Sequence, residues 1–486
     1  MHITPPSPAR RCLAALGAAL LGSTSLMAAP VPAVSGPDSG RAAFRDIYRE
    51  MVETDTSITS GSCTALADKV DARLRAAGYT DAAITRFAVP DHPGEGGIVA
   101  VLPGRDARLK PVLLLGHIDV VTAKREDWTR NPYQFIEEGG YFYGRGTADM
   151  KMLDAVWLDL MIRFKQQGYR PARGLKLAFT CGEETSGAFN GAQWLAQNRR
   201  QLIDAAFALN EGGGGQTDGK GVSEGGHLAG FGVQVGEKAY QDFTLTTTNP
   251  GGHSSQPVPD NALYAMARAL EKVGAYEFPL EFTDTTRAYF RATAQKRGGE
   301  LGKAMLALVA NPADKQAEAI VNTDRELHSM LRTTCVATMI SGGHALNALP
   351  QRVTANVNCR MFPGRTAEET QAALAAAIAD PAVRIEPRLK DKPIAVPPPL
   401  DPKVIEPMRA VVARHFPGVP LVPYLLTGAT DGVYLEAAGI PTYGVPAGWE
   451  NPGGAGEHGL NEHMEVAAAY AARDMMTDLV KAYTEK

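Results

Sequence analysis

Two adjacent glutamates, Glu183 and Glu184, end the apolar run Leu175-Lys176-Leu177-Ala178-Phe179-Thr180-Cys181-Gly182. His117-Ile118-Asp119 ends an earlier run, and Asn210-Glu211-Gly212-Gly213 ends a later one. Asp149 closes Gly144-Arg145-Gly146-Thr147-Ala148-Asp149 at the mouth of a helical stretch, and His458 stands in Gly456-Glu457-His458-Gly459-Leu460-Asn461-Glu462. Carboxylates and imidazoles without thiolates are the donors of a catalytic zinc, cobalt or manganese site with open positions, not of a closed structural zinc.

Singly, each residue has an ordinary reading: His117 as a satisfied histidine, Asp149 as a helix N-cap, the glutamate pair as solvated loop residues. The combination is what carries the chemistry. An Asp149 that bridges two cations would hold them about 3.5–4 Å apart, the spacing of dinuclear hydrolysis. Side chains that follow one another out of a strand point different ways, so one of Glu183 and Glu184 can ligate while the other stays free as a general base. Asp119 can orient the His117 imidazole through its second ring nitrogen.

These residues need a sheet to bring them to one edge. From Arg41 to Glu237 the pattern alternates, predicting helices over 42–54, 63–77, 152–167 and 191–198 and strands over 97–102, 111–115, 175–180 and 205–209. This is an α/β pattern: a mostly parallel sheet with helices on both faces, whose ligands gather at the carboxyl ends of strands. Past Glu237 it changes to a strand over 243–248, a helix over 260–273, a hairpin over 335–340 and 353–361, and a helix over 367–379. Such a unit predicts an inserted two-layer α+β domain over 238–399, ending in Pro397-Pro398-Pro399. The catalytic domain then comprises 41–237 and 400–486.

A chain of 486 residues, 44% of them hydrophobic, can bury a large core. Its formal net charge of -4 and lack of a long Lys/Arg cluster offer no footprint for nucleic acid or an anionic membrane, leaving small or neutral substrates. Residues 1–29 read as a secretory signal peptide: Arg10 and Arg11, an apolar stretch from Cys12 to Met27, then Ala28-Ala29-Pro30. The mature protein is expected to be exported, periplasmic or secreted. The paired arginines loosely resemble a twin-arginine signal, and Cys12 lacks a lipoprotein pattern, so no lipid anchor is expected. Cys63, Cys181, Cys335 and Cys359 remain, an even number for an oxidising compartment. Cys335 and Cys359 could face each other across the hairpin, which leaves a disulfide there open; Cys181 reads as a small buried residue.

With these motifs in this order, the chain resembles the dinuclear zinc aminoacylases and carboxypeptidases that include acetylornithine deacetylase, succinyl-diaminopimelate desuccinylase and glutamate carboxypeptidase. The resemblance implies two Zn²⁺ per chain, with Co²⁺ or Mn²⁺ as alternatives. It assigns His117, Asp149 and Glu211 to one metal, and Asp149, Glu184 and His458 to the other. Glu183 is then the general base, Asp119 the residue that orients His117, and the peptide after Asp149 is cis. Asn249-Pro250-Gly251-Gly252-His253-Ser254-Ser255 looks like the family's lid motif, whose histidine, here His253, polarises the scissile carbonyl. In dimeric relatives it enters the partner subunit's site, which leaves open a homodimer through the lid. Asn347 and Arg360 match the family's contacts to a substrate carboxylate, which guanidinium reads bidentately. Thr430, in Gly428-Ala429-Thr430-Asp431-Gly432, resembles part of the loop lining the site.

The chain departs from the pattern at Met152-Leu153-Asp154, where relatives often carry glycines, and in a long segment from about Tyr276 to Arg332. Such an extension resembles vacuolar-type carboxypeptidases and N-acyl amino acid hydrolases. A glutamate at position 211 resembles carboxypeptidases and deacylases more than aminopeptidases. The expected activity is therefore cleavage of an amide bond next to a free carboxylate in a small peptide or N-acyl amino acid. A dipeptidase or aminopeptidase of the same fold is the alternative, and a catalytically silent binding protein the rival from another class.

Overall fold

The computed structural model describes residues 40–185, 189–389 and 393–485. The expected leader, residues 1–29, lies outside them. The first part of the described chain comprises α1 (Arg41–Glu53), α2 (Cys63–Ala76), β1 (Ile84–Val89), β2 (His92–Leu102), β3 (Val112–His117), α3 (Lys151–Gln166), β4 (Leu175–Thr180), β5 (Phe207–Asn210), β6 (Gly214–Thr217) and β7 (Leu228–Glu237). A second unit follows with β8 (Ala239–Thr248), α4 (Ala262–Ala275), β9 (Thr334–Gly342), β10 (Arg352–Met361), α5 (Ala367–Ile378) and β11 (Arg384–Pro387). The chain then returns through α6 (Pro402–His415), β12 (Leu421–Leu426), β13 (Thr442–Gly444), β14 (Trp449–Glu450) and α7 (Val466–Thr484).

The large sheet runs β1-β2-β4-β3-β5-β13-β7-β6-β14, with β12 also on β7. Its centre is parallel: β3 pairs with β4 and β5, and β5 with β13. The carboxyl ends of β3, β4 and β5 therefore meet at one edge, where the acidic and histidine motifs begin. Buried throughout, β3 is apolar without alternation because both of its faces are covered. Its side chains divide with a period of two: Val112 and Leu114 join the core under α1, α2, α3, α6 and α7, and Leu113 and Leu115 the core on the other face. In α3 every residue from Lys151 to Met161 is buried, so this helix is enclosed on all sides and fixes where its N-terminus, just after Asp149, can lie.

The second unit is a four-stranded antiparallel sheet, β9-β10-β8-β11, with α4 packed against β8, β9 and β10 and α5 against α4. β10 alternates buried and partly exposed positions, as a strand with one covered face does. β9 is an edge strand, and Val336, Met339 and Ile340 on it are exposed. The long segment before β9 forms helices Asp284–Arg297, Gly299–Ala310, Lys315–Val321 and Arg325–Met330. They enclose a core of their own around Phe290, Met305, Leu308 and Leu327, which Leu425 of β12 and Phe362 join. Among the described residues no helix is long and apolar enough to cross a membrane.

Cys335 and Cys359 are opposed in the β9–β10 register and joined by a disulfide. Cys181 is buried, as expected, and in addition is bonded to Cys63, the first residue of α2, a pairing the sequence reading did not anticipate. α2 packs on β2, and β2 pairs with β4, so the helix start and the strand end meet although 118 residues separate the cysteines in sequence.

Candidate metal centre

His117 ends β3 with its side chain buried. Its Nε2 lies 3.1 Å from Asp149 Oδ1 and 3.5 Å from Glu211 Oε2. The other oxygen of Asp149, Oδ2, lies 3.2 Å from Nε2 of His458, which in turn is 2.8 Å from Glu184 Oε2. Asp149 thus faces two imidazoles with two oxygens, and each imidazole has one further carboxylate. Donor atoms of His117, Asp149 and Glu184 all lie within 4.8 Å of one another, as do those of His117, Glu183 and Glu211. All five expected ligands and Glu183 are therefore brought together from five separate segments, and the Asp149–Met150 peptide is cis.

Asp119 is placed differently from the simple expectation. Nδ1 of His117 is 3.2 Å from the backbone carbonyl of Asp119 and 3.7 Å from its carboxylate. That carboxylate instead accepts the backbone N–H groups of Glu183 at 3.4 Å and Glu184 at 3.0 Å. Asp119 holds the imidazole with its main chain and the glutamate pair with its side chain.

The electrostatics are those of a site short of positive charge. Burial raises the Glu183 carboxyl well above its ordinary range, with Glu211, Asp431 and Glu184 adding to it and His117 opposing. Glu184 is raised by burial too, and burial pushes Glu211 up to about 7. Burial also opposes charge on Asp149, but hydrogen bonds with His117 and His458 outweigh it and hold this carboxyl below the usual range. His458 is raised to about 10 by Asp149 and Glu184. Four carboxylates around two imidazoles fit a pair of divalent cations, which would neutralise the excess and take up oxygen and nitrogen donors without thiolate.

The cleft beside the cluster measures about 310 Å³ and is lined by Asp149, Glu183, Glu211, the Gly212–Gly215 turn, Thr430 and His458. Gly212 has φ 96°, and a Cβ there would run into the Gln234 side chain, so glycine is required for the turn to pass. Met152 and Leu153, two of the departures from the expected glycines, form part of its apolar wall. Their neighbour Asp154 is buried behind Gly116.

The second unit's expected residues are not gathered into this cluster. His253 is exposed in a short pairing of Gly252–His253 with Ala348–Leu349, and its Nδ1 is 2.7 Å from Ser255 Oγ. Asn347 is exposed; its carbonyl accepts the Ser254 N–H at 3.0 Å. Arg360 is half-buried over the Tyr240 ring, 4.8 Å from its centroid, and Glu183 is among the charges that act on it.

Sequence reasoning gave no role to three buried acids around the cluster. Glu462 accepts four hydrogen bonds from the segment that carries Asp149. Glu237 accepts from Thr430 twice, from N–H at 2.9 Å and Oγ1 at 2.7 Å. Asp431 accepts from Thr180 at the end of β4 and from Asn190. Their partners are largely backbone groups or distant residues, so the only sequence signal was an acid inside a glycine-rich motif.

The profile of Peptidase family M20/M25/M40 matches residues 113–482. The chain is 27% identical over 384 residues to the human protein named N-fatty-acyl-amino acid synthase/hydrolase PM20D1, covering 76% of this chain and 73% of that one. It is 27% identical over 394 residues to aminoacylase-1A of Rattus norvegicus, covering 80% and 84%. Among solved structures, an M20 family metallo-carboxypeptidase, Sso-CP2 from Sulfolobus solfataricus, superposes with a TM-score of 0.68 at 16% identity over 90% of this chain and 99% of that one. Human carnosine dipeptidase 1 superposes with a TM-score of 0.62 at 14% identity over 92% and 97%. These two likenesses are of fold. The profile match spans most of the chain and includes the whole cluster, and the chain belongs to peptidase family M20/M25/M40 as a metal-dependent hydrolase of amide bonds.

Proposed function

We propose that this enzyme is an exported hydrolase that cleaves the amide bond next to a free carboxylate, in N-acyl amino acids or at the carboxyl end of small peptides. The observation that carries the reading is Asp149 between His117 and His458, each imidazole with its own glutamate. His117, Asp149 and Glu211 would hold one ion, and Asp149, Glu184 and His458 the other. Zinc is the first choice, and the same donors accept cobalt or manganese. When bound, such a pair polarises the carbonyl and lowers the pKa of water.

Glu183 is the carboxylate left over from the two ligand sets. It takes the proton from the attacking water on a carboxylate oxygen and returns it to the leaving amine. Asp119 keeps Glu183 and Glu184 at fixed depth through their N–H groups, and Glu237 does the same for Thr430. Arg360 and Asn347 bind the substrate carboxylate, and His253 donates to the carbonyl oxygen as it becomes an oxyanion. His253 and the exposed apolar edge of β9 support a homodimer in which this histidine reaches the partner's cleft. Two disulfides support an oxidising compartment, as export requires. The PM20D1 and aminoacylase relatives, by name, favour N-acyl amino acids over unblocked peptides.

The test is metal content and hydrolysis together, on N-acyl amino acids and on dipeptides with free or amidated carboxyl ends. Two ions per chain and cleavage that requires the free carboxylate uphold the reading. Cleavage abolished by blocking the substrate's amino group selects the aminopeptidase alternative, and neither metal nor turnover selects the silent binding protein.

A further inference from the structure

His458 is the ligand with the least packing around it. Its side chain is 57% exposed, against 1% for His117 and 5% for Glu184. It sits in an irregular loop, 455–462, with a left-handed backbone at φ 58°, so neither a strand nor a helix holds it. Something else must set its distance from Asp149, which is 309 residues away in sequence.

Glu462, four residues after His458, is fully buried. Its Oε2 accepts from Arg145 Nη1 at 2.7 Å and from the Gly146 N–H at 2.9 Å. Its Oε1 accepts from the N–H of Ala148 at 2.8 Å and of Asp149 itself at 3.0 Å. The backbone carbonyl of Glu462 takes the Gly144 N–H at 3.1 Å, and Arg145 Nη2 returns a bond to the Gly459 carbonyl at 2.8 Å. The loop is tied down from outside as well: Asn461 Oδ1 accepts from Thr129 Oγ1 at 2.7 Å. One carboxylate thus collects the N–H groups of the Asp149 segment and fixes them against the loop that bears His458.

We infer that Glu462 is a positioning residue that sets the Asp149–His458 separation and so controls the affinity of the metal position made by Asp149, Glu184 and His458. A helix or strand would hold a ligand by its own ladder; here a buried carboxylate does so by bonding the partner segment's main chain, and such outer partners are worth about 10–100-fold in metal affinity. The inference rests on the ligand sets proposed above. Its consequence is unequal: both positions share Asp149, but the one containing His458 weakens more than the one containing His117 and Glu211, which stand at the end of β3 and directly after β5.

The test is a calorimetric titration of the chelated full-length chain with Zn²⁺, for the unmodified protein, His458→Ala and Glu462→Gln. The glutamine keeps the volume but turns an NH₂ toward the donors that one carboxylate oxygen accepted. The expected result is a loss of about 10–100-fold at one of two sites in Glu462→Gln, the same site that His458→Ala abolishes, with the other site changed less than about threefold. Thr129→Val, which removes one of the two hydrogen bonds on Asn461 Oδ1 and leaves the buried pair intact, should weaken the same site by a smaller factor and stands in if Glu462→Gln fails to fold. Equal losses at both sites, or a lowered melting temperature of the metal-free protein with unchanged affinities, would make Glu462 merely structural and overturn the inference. If His458→Ala leaves both sites intact, the ligand assignment falls and the role of Glu462 with it.

Discussion

The Asp119 carboxylate accepts the Glu184 N–H at 3.0 Å, while the carbonyl of the same aspartate lies 3.2 Å from His117 Nδ1. One residue therefore couples the end of β3 to the loop after β4, and a change there should move ligand and base together. Asp119→Ala leaves two partly buried N–H groups without an acceptor, at a cost of about 1–3 kcal/mol for each that water does not reach. Turnover should fall about 10–100-fold with KM little changed, as expected for a group that acts through others. Steady-state kinetics on an N-acyl amino acid checks this, and an unchanged kcat would refute it.

Glu183→Gln preserves the shape of the residue and removes its proton-accepting oxygen. Both metals should remain bound, and kcat should drop about 10²–10⁴-fold, the range for loss of a general base. Elemental analysis beside a turnover assay separates this from metal loss; full activity in the variant would remove Glu183 from the mechanism.

The two disulfides should contribute unequally. Cys63–Cys181 spans 118 residues and Cys335–Cys359 spans 24. On loop-closure entropy the longer one stabilises by about 1.4 kcal/mol more. Only the longer one ends two residues from Glu183, so Cys63→Ala with Cys181→Ala should lower both the denaturation midpoint and kcat. The pair Cys335→Ala and Cys359→Ala should lower the midpoint and leave kcat near its original value.

Lys238 links β7 to β8, and its ammonium is buried against Ser329 and Thr334, with Arg360 and Arg332 nearby and, among the described residues, no carboxylate bonded to it. Burial, then the two arginines, push its pKa down to about 7. The unfolded chain binds this proton up to about pH 10, so between those limits the unfolded state holds more protons and stability rises with pH. The slope this group contributes is on the order of 1 kcal/mol per pH unit. Denaturation at pH 7.5 and 9.5 should show that rise in the unmodified enzyme, and Lys238→Met should flatten it.

How much of this was legible in the sequence depended on how local each cause was. Val112 to Leu115 read as a buried strand because both of its faces are covered, and His117, Glu184 and Glu211 were found because each follows such a run, whereas Asp149 and His458 stand in glycine-rich segments and were assigned by the family resemblance. Cys181 reads as a buried residue and is one, but its disulfide was not legible because its partner comes from α2, which the β2–β4 pairing brings near. The four hydrogen bonds of Glu462 come chiefly from main-chain N–H groups, which every residue but proline has and no sequence pattern marks. The segment before β9 read only as an extension; its helices cohere because they enclose Phe290, Met305 and Leu327 together.

His253 is exposed and is not among the residues lining the cleft, while β9 presents Val336, Met339 and Ile340 outward. If a second copy covers that edge and its His253 completes the site, two inactive variants should rescue each other. In a mixed dimer of His253→Ala and Glu183→Gln chains, the cleft of the first keeps Glu183 and receives an intact histidine from the second, whereas the other cleft has lost both. Random reassortment makes half the dimers mixed, so the mixture should recover about a quarter of the unmodified activity. No recovery after subunit exchange, verified by sedimentation of tagged chains, would place His253 in the cleft of its own chain or outside the reaction. Met339→Glu with Ile340→Lys should yield a monomer that is inactive where the partner's histidine completes the site and active where it does not.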